Sequence, residues 1–135
     1  MVTRFFDKLS SMFKSKKKSL QEIVDSFKRK HKEIEGIILS IKEGLPIVHA
    51  GIPEDKVTLY SAQIVNLRTI SKRALEYLKR DPFKVLRIDS DKNSILVFHI
   101  PKHDLVLGVI TKNLSDTPSV ISYTKDLIEK IEKSL

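Results

Sequence analysis

The sequence predicts a mixed α/β (α+β) domain with elements in the order α-β-β-α-β-β-β-α, set behind a short N-terminal arm. Three observations predict it. The spacing of apolar residues switches from helical to extended at Ile34, a long helical pattern from about Glu54 to Lys79 separates two groups of strands, and the later strands carry unbroken apolar runs. A chain of 135 residues, 41% hydrophobic and 31% charged, has room for one core and enough apolar side chains to build it.

The arm spans residues 1–19. Val2, Phe5, Phe6, Leu9, Met12 and Phe13 recur at the spacing of one helical face, and Lys14, Lys16, Lys17 and Lys18 follow as a like-charged run that reads as a hinge. The domain proper spans residues 20–135. Ser19-Leu20-Gln21-Glu22 has the form of a capping box and predicts a fresh helix start there. Leu20, Ile23, Val24 and Phe27 form its stripe, and the Lys28–Lys32 cluster suits the negative end of the helix dipole.

Ile34–Ile41 is short and rich in β-branched residues, Lys42-Glu43-Gly44 supplies a turn, and Leu45–Ala50 reads as the returning strand with Pro46 near its start. The helix that follows Pro53 has acidic Glu54 and Asp55 in its first turn. Val57, Tyr60, Ile64, Leu67, Ala74, Leu75 and Leu78 mark one face of it, and Leu59, Ala62, Ile70 and Tyr77 a second. A helix apolar on two sides needs two partners, and one sheet supplies only one, so this pattern points to oligomerisation. Asp81-Pro82 breaks the helix. Strands are then expected at Phe83–Asp89, Ser94–Ile100 and Leu105–Thr111, and a final helix with Pro118 in its first turn carries the stripe Val120, Ile121, Thr124, Leu127, Ile128, Ile131 and Leu135.

The net charge of +8 is unevenly placed. Residues 1–32 hold ten Lys/Arg against three acidic residues, a net +7, whereas residues 33–135 carry fifteen against fourteen, a net +1. One end of the molecule therefore suits an anionic surface. In the sharper reading, the arm lies in the plane of a membrane, with Val2, Phe5, Phe6, Leu9, Met12 and Phe13 in the acyl boundary. Lys14, Lys16, Lys17 and Lys18 would then meet headgroups, at about 1 kcal/mol per basic residue. The plainer reading packs the arm on the body or on a second subunit. A nucleic-acid or small-ligand module using the basic arm is the alternative from another class, although the phenylalanines lie in a stripe and do not alternate with the lysines as stacking platforms.

Several chemistries are excluded or disfavoured. There is no cysteine, hence no disulfide, thiol nucleophile or thiolate-bound metal. Neither a phosphate-cradling glycine motif nor a His-Glu-x-x-His spacing occurs. His99 and His103 are separated by the Pro101 turn, so no metal, cofactor or catalytic residues are expected. No run of 18 apolar residues exists to span a membrane, and no signal peptide is recognised, which leads to an expectation of a cytoplasmic protein, peripheral on the inner membrane face if the arm binds lipid.

The segment Gly36-Ile37-Ile38-Leu39-Ser40-Ile41-Lys42-Glu43-Gly44-Leu45-Pro46-Ile47 followed by Leu59-Tyr60-Ser61-Ala62 resembles the opening hairpin and helix entry of the roadblock/dynein light chain domain family. The resemblance covers roughly residues 20–135. It implies a profilin-like fold: a five-stranded antiparallel sheet with the central helix on one face and the terminal helices on the other. It also implies a non-enzymatic homodimeric scaffold or regulator serving a Ras-like small GTPase. The family pairs central helices and third strands, which maps the dimer surface onto Glu54–Lys79 and Phe83–Asp89, with Tyr60, Ile64, Leu67, Phe83, Val85 and Arg87 as its expected residues.

Overall fold

A computed structural model describes residues 2–135, with side chains described from Ser15 onward. The elements are α1 (Val2–Lys30), β1 (Ile34–Ile41), β2 (Pro46–Ala50), α2 (Val57–Tyr77), β3 (Val85–Asp89), β4 (Ser94–Ile100), β5 (Leu105–Thr111) and α3 (Thr117–Ser134), joined in part by short 3-10 turns. The strands form one antiparallel sheet in the order β2-β1-β5-β4-β3. Side chains alternate across it. Ile37, Leu39, Leu96, Phe98, Leu105 and Leu107 meet α1 and α3 on one face, while Ile38, Val97 and Val106 meet α2 on the other. The fold class expected from the sequence is the one observed.

The N-terminal helices differ from expectation. The sequence suggests a hinge at Lys14–Lys18 and a new start at Ser19, but α1 runs unbroken from Val2 to Lys30. Lysine is a good helix former, and a solvated helix face tolerates several of them. The Ser19 hydroxyl is also not used as a cap. It hydrogen-bonds the Ser134 hydroxyl at 3.1 Å, and one turn earlier Lys16 Nζ donates to the main-chain oxygen of Leu135 at 2.6 Å. These two contacts fasten α1 to the end of α3. Further along, Gln21 Nε2 donates to the His49 carbonyl of β2 at 2.7 Å, and Leu20, Val24 and Phe27 enter the core.

The central helix is seated by small residues. Gly108 of β5 lets it approach, since a Cβ there would stand 2.9 Å from Ile64 Cδ1. Ser61 is fully buried and donates to the Gly44 carbonyl at 2.7 Å, while accepting from Ser40 of β1 at 2.6 Å. Two buried hydroxyls thus satisfy each other and join α2 to the β1–β2 hairpin. The buried side of α2 runs through Val57, Ser61, Ile64, Val65 and Arg68, so two of its five members are polar.

At its other end α2 closes in a Schellman turn. The Arg80 amide donates to the Leu75 carbonyl at 2.9 Å, the Lys79 amide to the Glu76 carbonyl at 3.0 Å, and Lys79 takes φ +52°. The third strand begins later than expected, at Val85. Phe83 precedes it and folds beneath α2 into the core.

Candidate interaction surface

The two faces of the sheet are covered to different extents. On the α1/α3 side, Leu20, Val24, Val120, Leu127 and Ile131 are all fully buried. On the α2 side one helix spans a five-stranded sheet and leaves the β3 border open. Among the described side chains, the large apolar ones that stand well exposed are Leu59, Ile70, Tyr77, Leu78, Val85, Ile88 and Ile95. Every one lies on α2, at its C-terminal cap, on β3, or at the start of β4. Ile70 is 65% exposed and Tyr77 87%, values unusual for side chains of this kind clustered on one part of a surface.

β3 is an edge strand. It pairs with β4 from Val85 opposite Phe98 to Asp89 opposite Ser94, and its outer row of main-chain groups faces no strand of this chain. Because opposed residues share a face, Leu86 and Ile88 lie on the α2 side with Val97 and Ile95, while Val85 and Arg87 lie on the other. Between α2 and the sheet runs an apolar groove of about 460 Å³ lined in part by Tyr60, Ile64, Leu67, Ile95 and Ile110. Ile95, which lines the groove, is paired with Ile88 of β3 and so links the groove to the strand edge.

Charged groups at this border are held by local contacts. Arg87 Nε donates to Asp89 Oδ1 at 2.8 Å. The hydroxyl of Ser94 donates to the same oxygen at 2.6 Å, and the Thr117 hydroxyl donates in turn to Ser94 at 2.9 Å. The Arg87 hydrogen bond, then that of Ser94, holds the Asp89 carboxyl below its ordinary range. Under the C-terminal half of α2, His99 Nε2 donates to Asp104 Oδ1 at 2.7 Å, and Arg68 Nη1 lies 3.9 Å from that oxygen. Burial pushes the Asp104 carboxyl up. The His99 hydrogen bond and the charges of Arg68, His99 and Lys42 outweigh it, and the net shift is downward.

The expected dimer residues divide into three groups. Tyr60 and Leu67 are half-buried at the groove, and Val85 and Arg87 are exposed or half-exposed on β3, all four at the open border. Ile64 and Phe83 are core residues, 6% and 7% exposed, and are corrected as surface positions. Ile64 sits over Gly108, and Phe83 lies ahead of the strand to which alternation assigns it. Leu59, Ile70, Tyr77 and Ile88 fall within the two segments mapped from the sequence but are not among its named dimer residues, and Ile95 lies outside both segments.

Of the expected membrane residues, Val2, Phe5, Phe6, Leu9, Met12, Phe13 and Lys14 lie outside the described side chains. Lys17 and Lys18 are exposed on α1, whereas Lys16 is half-buried and engaged by Leu135, which removes it from the free lysine run. Among the described residues, no helix is long and apolar enough to cross a membrane and no three metal-ligating side chains converge.

A five-stranded antiparallel sheet in this strand order, with one central helix and two terminal helices on opposite faces and a free third strand, defines a profilin-like module of roadblock type. The chain belongs to the Roadblock/LC7 domain family, which matches residues 20–111, from the middle of α1 to the end of β5. Among solved structures it is similar to MglB of Myxococcus xanthus, with a TM-score of 0.77 at 17% identity over 87% of each chain. A Roadblock/LC7 domain from Streptomyces avermitilis has a TM-score of 0.77 at 12% identity, over 84% of this chain and 94% of its own. The gliding protein MglB of Thermus thermophilus has a TM-score of 0.75 at 11% identity, over 88% of this chain and 90% of its own. At such identities the likeness is one of fold. No curated protein matches the chain.

Proposed function

We propose that the chain is a non-enzymatic scaffold or regulator that works as a homodimer, serves a Ras-like small GTPase, and is brought to the cytoplasmic face of an anionic membrane by the first half of α1. The observation that carries the dimer is that, among the described side chains, the large apolar ones that are exposed lie on α2 and its C-terminal cap, β3 and the start of β4. A two-fold axis across this border pairs β3 with its own copy and lays one α2 antiparallel to the other, closing the strand edge without leaving a new one. Charge supports that direction. Glu54, Asp55 and Lys56 ahead of α2 carry a net −1, and the stretch 72–81 around its end, with Glu76 and Asp81 counted, carries a net +2, so antiparallel copies set opposite net charges against each other.

The GTPase role rests on the family, in which such dimers serve as platforms. The membrane role rests on the apolar spacing of Val2 to Phe13 together with the lysines behind it. A dimer carries two such helices, and linked sites gain avidity from effective concentration.

Light scattering at high concentration tests the platform. Wild type is expected to be a dimer, and Ile70→Asp combined with Ile88→Asp a folded monomer, because both residues are exposed in the single chain and two like charges would meet at the two-fold border. A monomeric wild type would overturn this part of the proposal. Co-sedimentation with anionic vesicles, expected to be lost on deleting residues 1–14, tests the location. Affinity capture with a GTP analogue against GDP tests the partner.

A further inference from the structure

Arg68 is, among the described residues, the one charged side chain that is buried, at 6% exposed. A buried guanidinium is costly unless its donors are satisfied. Here they are not fully satisfied. Nε has no hydrogen-bond partner among the described residues, and Asp104, the near counter-charge, stands 3.9 Å from Nη1 with its oxygen already accepting from His99 at 2.7 Å. Asp104 is too far to take a guanidinium hydrogen bond. Its charge offsets part of the cost but leaves the planar fork of donors free for another acceptor.

Arg68 and His99 also line a cavity of about 270 Å³ at the C-terminal end of α2. Lys72, one turn after Arg68, and Arg80, just past the Schellman turn, line it as well, with Leu75, Pro82 and Phe83 as apolar wall. Glu76 and Asp81 also contribute to its lining. Three permanent cations stand against two lining carboxylates, and Asp104 beside Arg68 balances the third, so the cavity opposes a polyanion such as nucleic acid and leaves room only for one small anionic group held by directed hydrogen bonds.

We infer that the cavity beside Arg68 is an oxyanion-binding site, which takes one carboxylate or phosphate group against the Arg68 guanidinium with Lys72 and Arg80 closing over it. A guanidinium offers such a group parallel donors in its own plane, and the apolar wall lowers the local dielectric and strengthens the contact. The Lys72 and Arg80 side chains at the mouth are exposed and long enough to fold over a bound group. The site belongs to the single chain, and its occupancy does not depend on whether a GTPase binds.

The test follows the arginine Nε–H signals of the full-length protein by NMR during titration with sodium phosphate, sodium acetate or sodium chloride at matched ionic strength. Phosphate or acetate is expected to move one solvent-shielded Nε–H signal saturably, and chloride to leave it in place. Arg68→Lys should remove that signal. Arg80→Ala alters an exposed residue and keeps the fold, and it should weaken the anion about tenfold, the loss of one charge-assisted hydrogen bond. Saturation by phosphate alone makes the site selective for a phosphate group, and comparable saturation by acetate makes it a site for carboxylates as well; either supports it. A signal unmoved by both anions, one moved equally by chloride, or an affinity unchanged in Arg80→Ala would each overturn it.

Discussion

The α1/α3 face and the α2 face of this sheet are built from similar kinds of apolar sequence but end differently. Two helices cover the first, and they are tied together where Lys16 and Ser19 meet Leu135 and Ser134, so that its leucines and valines reach complete burial. One helix covers the second, with polar Ser61 and Arg68 on its inner side and Ile70 and Tyr77 on its outer side. The difference teaches that α2 divides its apolar residues between two tasks. Part of the set holds the sheet, and the rest is left for a surface that another molecule can cover.

The largest expected contrast comes from truncating one residue on each face. Leu127→Ala removes a fully buried side chain between α3 and the sheet and is expected to cost about 2–5 kcal/mol in denaturant unfolding. Ile70→Ser, measured at dilution where a dimer dissociates, should stay within about 0.5 kcal/mol of wild type, because this side chain is mostly solvated in the single chain. Equal losses at the two positions would erase the distinction between the faces.

A smaller effect sharpens the account of the α2 side. The Asp104 carboxyl is held below its ordinary value of 3.8, so its contribution to stability is present above that value and is lost as pH falls through the lower folded value. Asp104→Asn should therefore be less stable than wild type near pH 7, and the difference should shrink as pH falls below the ordinary carboxyl value of 3.8 and through the lower folded one, as measured by denaturant unfolding from neutral to acid pH. Asparagine tolerates the φ of +53° found at this residue, so the comparison isolates charge from backbone strain. The smallest effect is a gain. Lys79→Gly relieves a left-handed lysine at the end of α2 and should raise stability by about 0.5–1 kcal/mol in thermal unfolding.

Much of this architecture is legible in the sequence, for reasons that can be located. β4 and β5 begin and end where their apolar runs meet Ser90-Asp91-Lys92-Asn93, Pro101 and Lys112, since turn chemistry punctuates them sharply. The hairpin and the helix order are legible through the switch of period at Ile34. The continuity of α1 is not, because a run of like charge suggests a break while lysine itself favours helix. Phe83 is misplaced because strand alternation says nothing about a residue that comes before the strand. Arg68 leaves no mark at all: a basic residue on a helix reads as solvated until the third dimension turns it inward.

The unbroken course of α1 has a mechanical meaning. A tether would let the sheet tumble freely behind whatever holds its leading end, whereas 29 residues of helix, about 43 Å of stiff rod, transmit orientation. Anything that grips the first turns also aims the rest of the molecule, as a handle aims a blade.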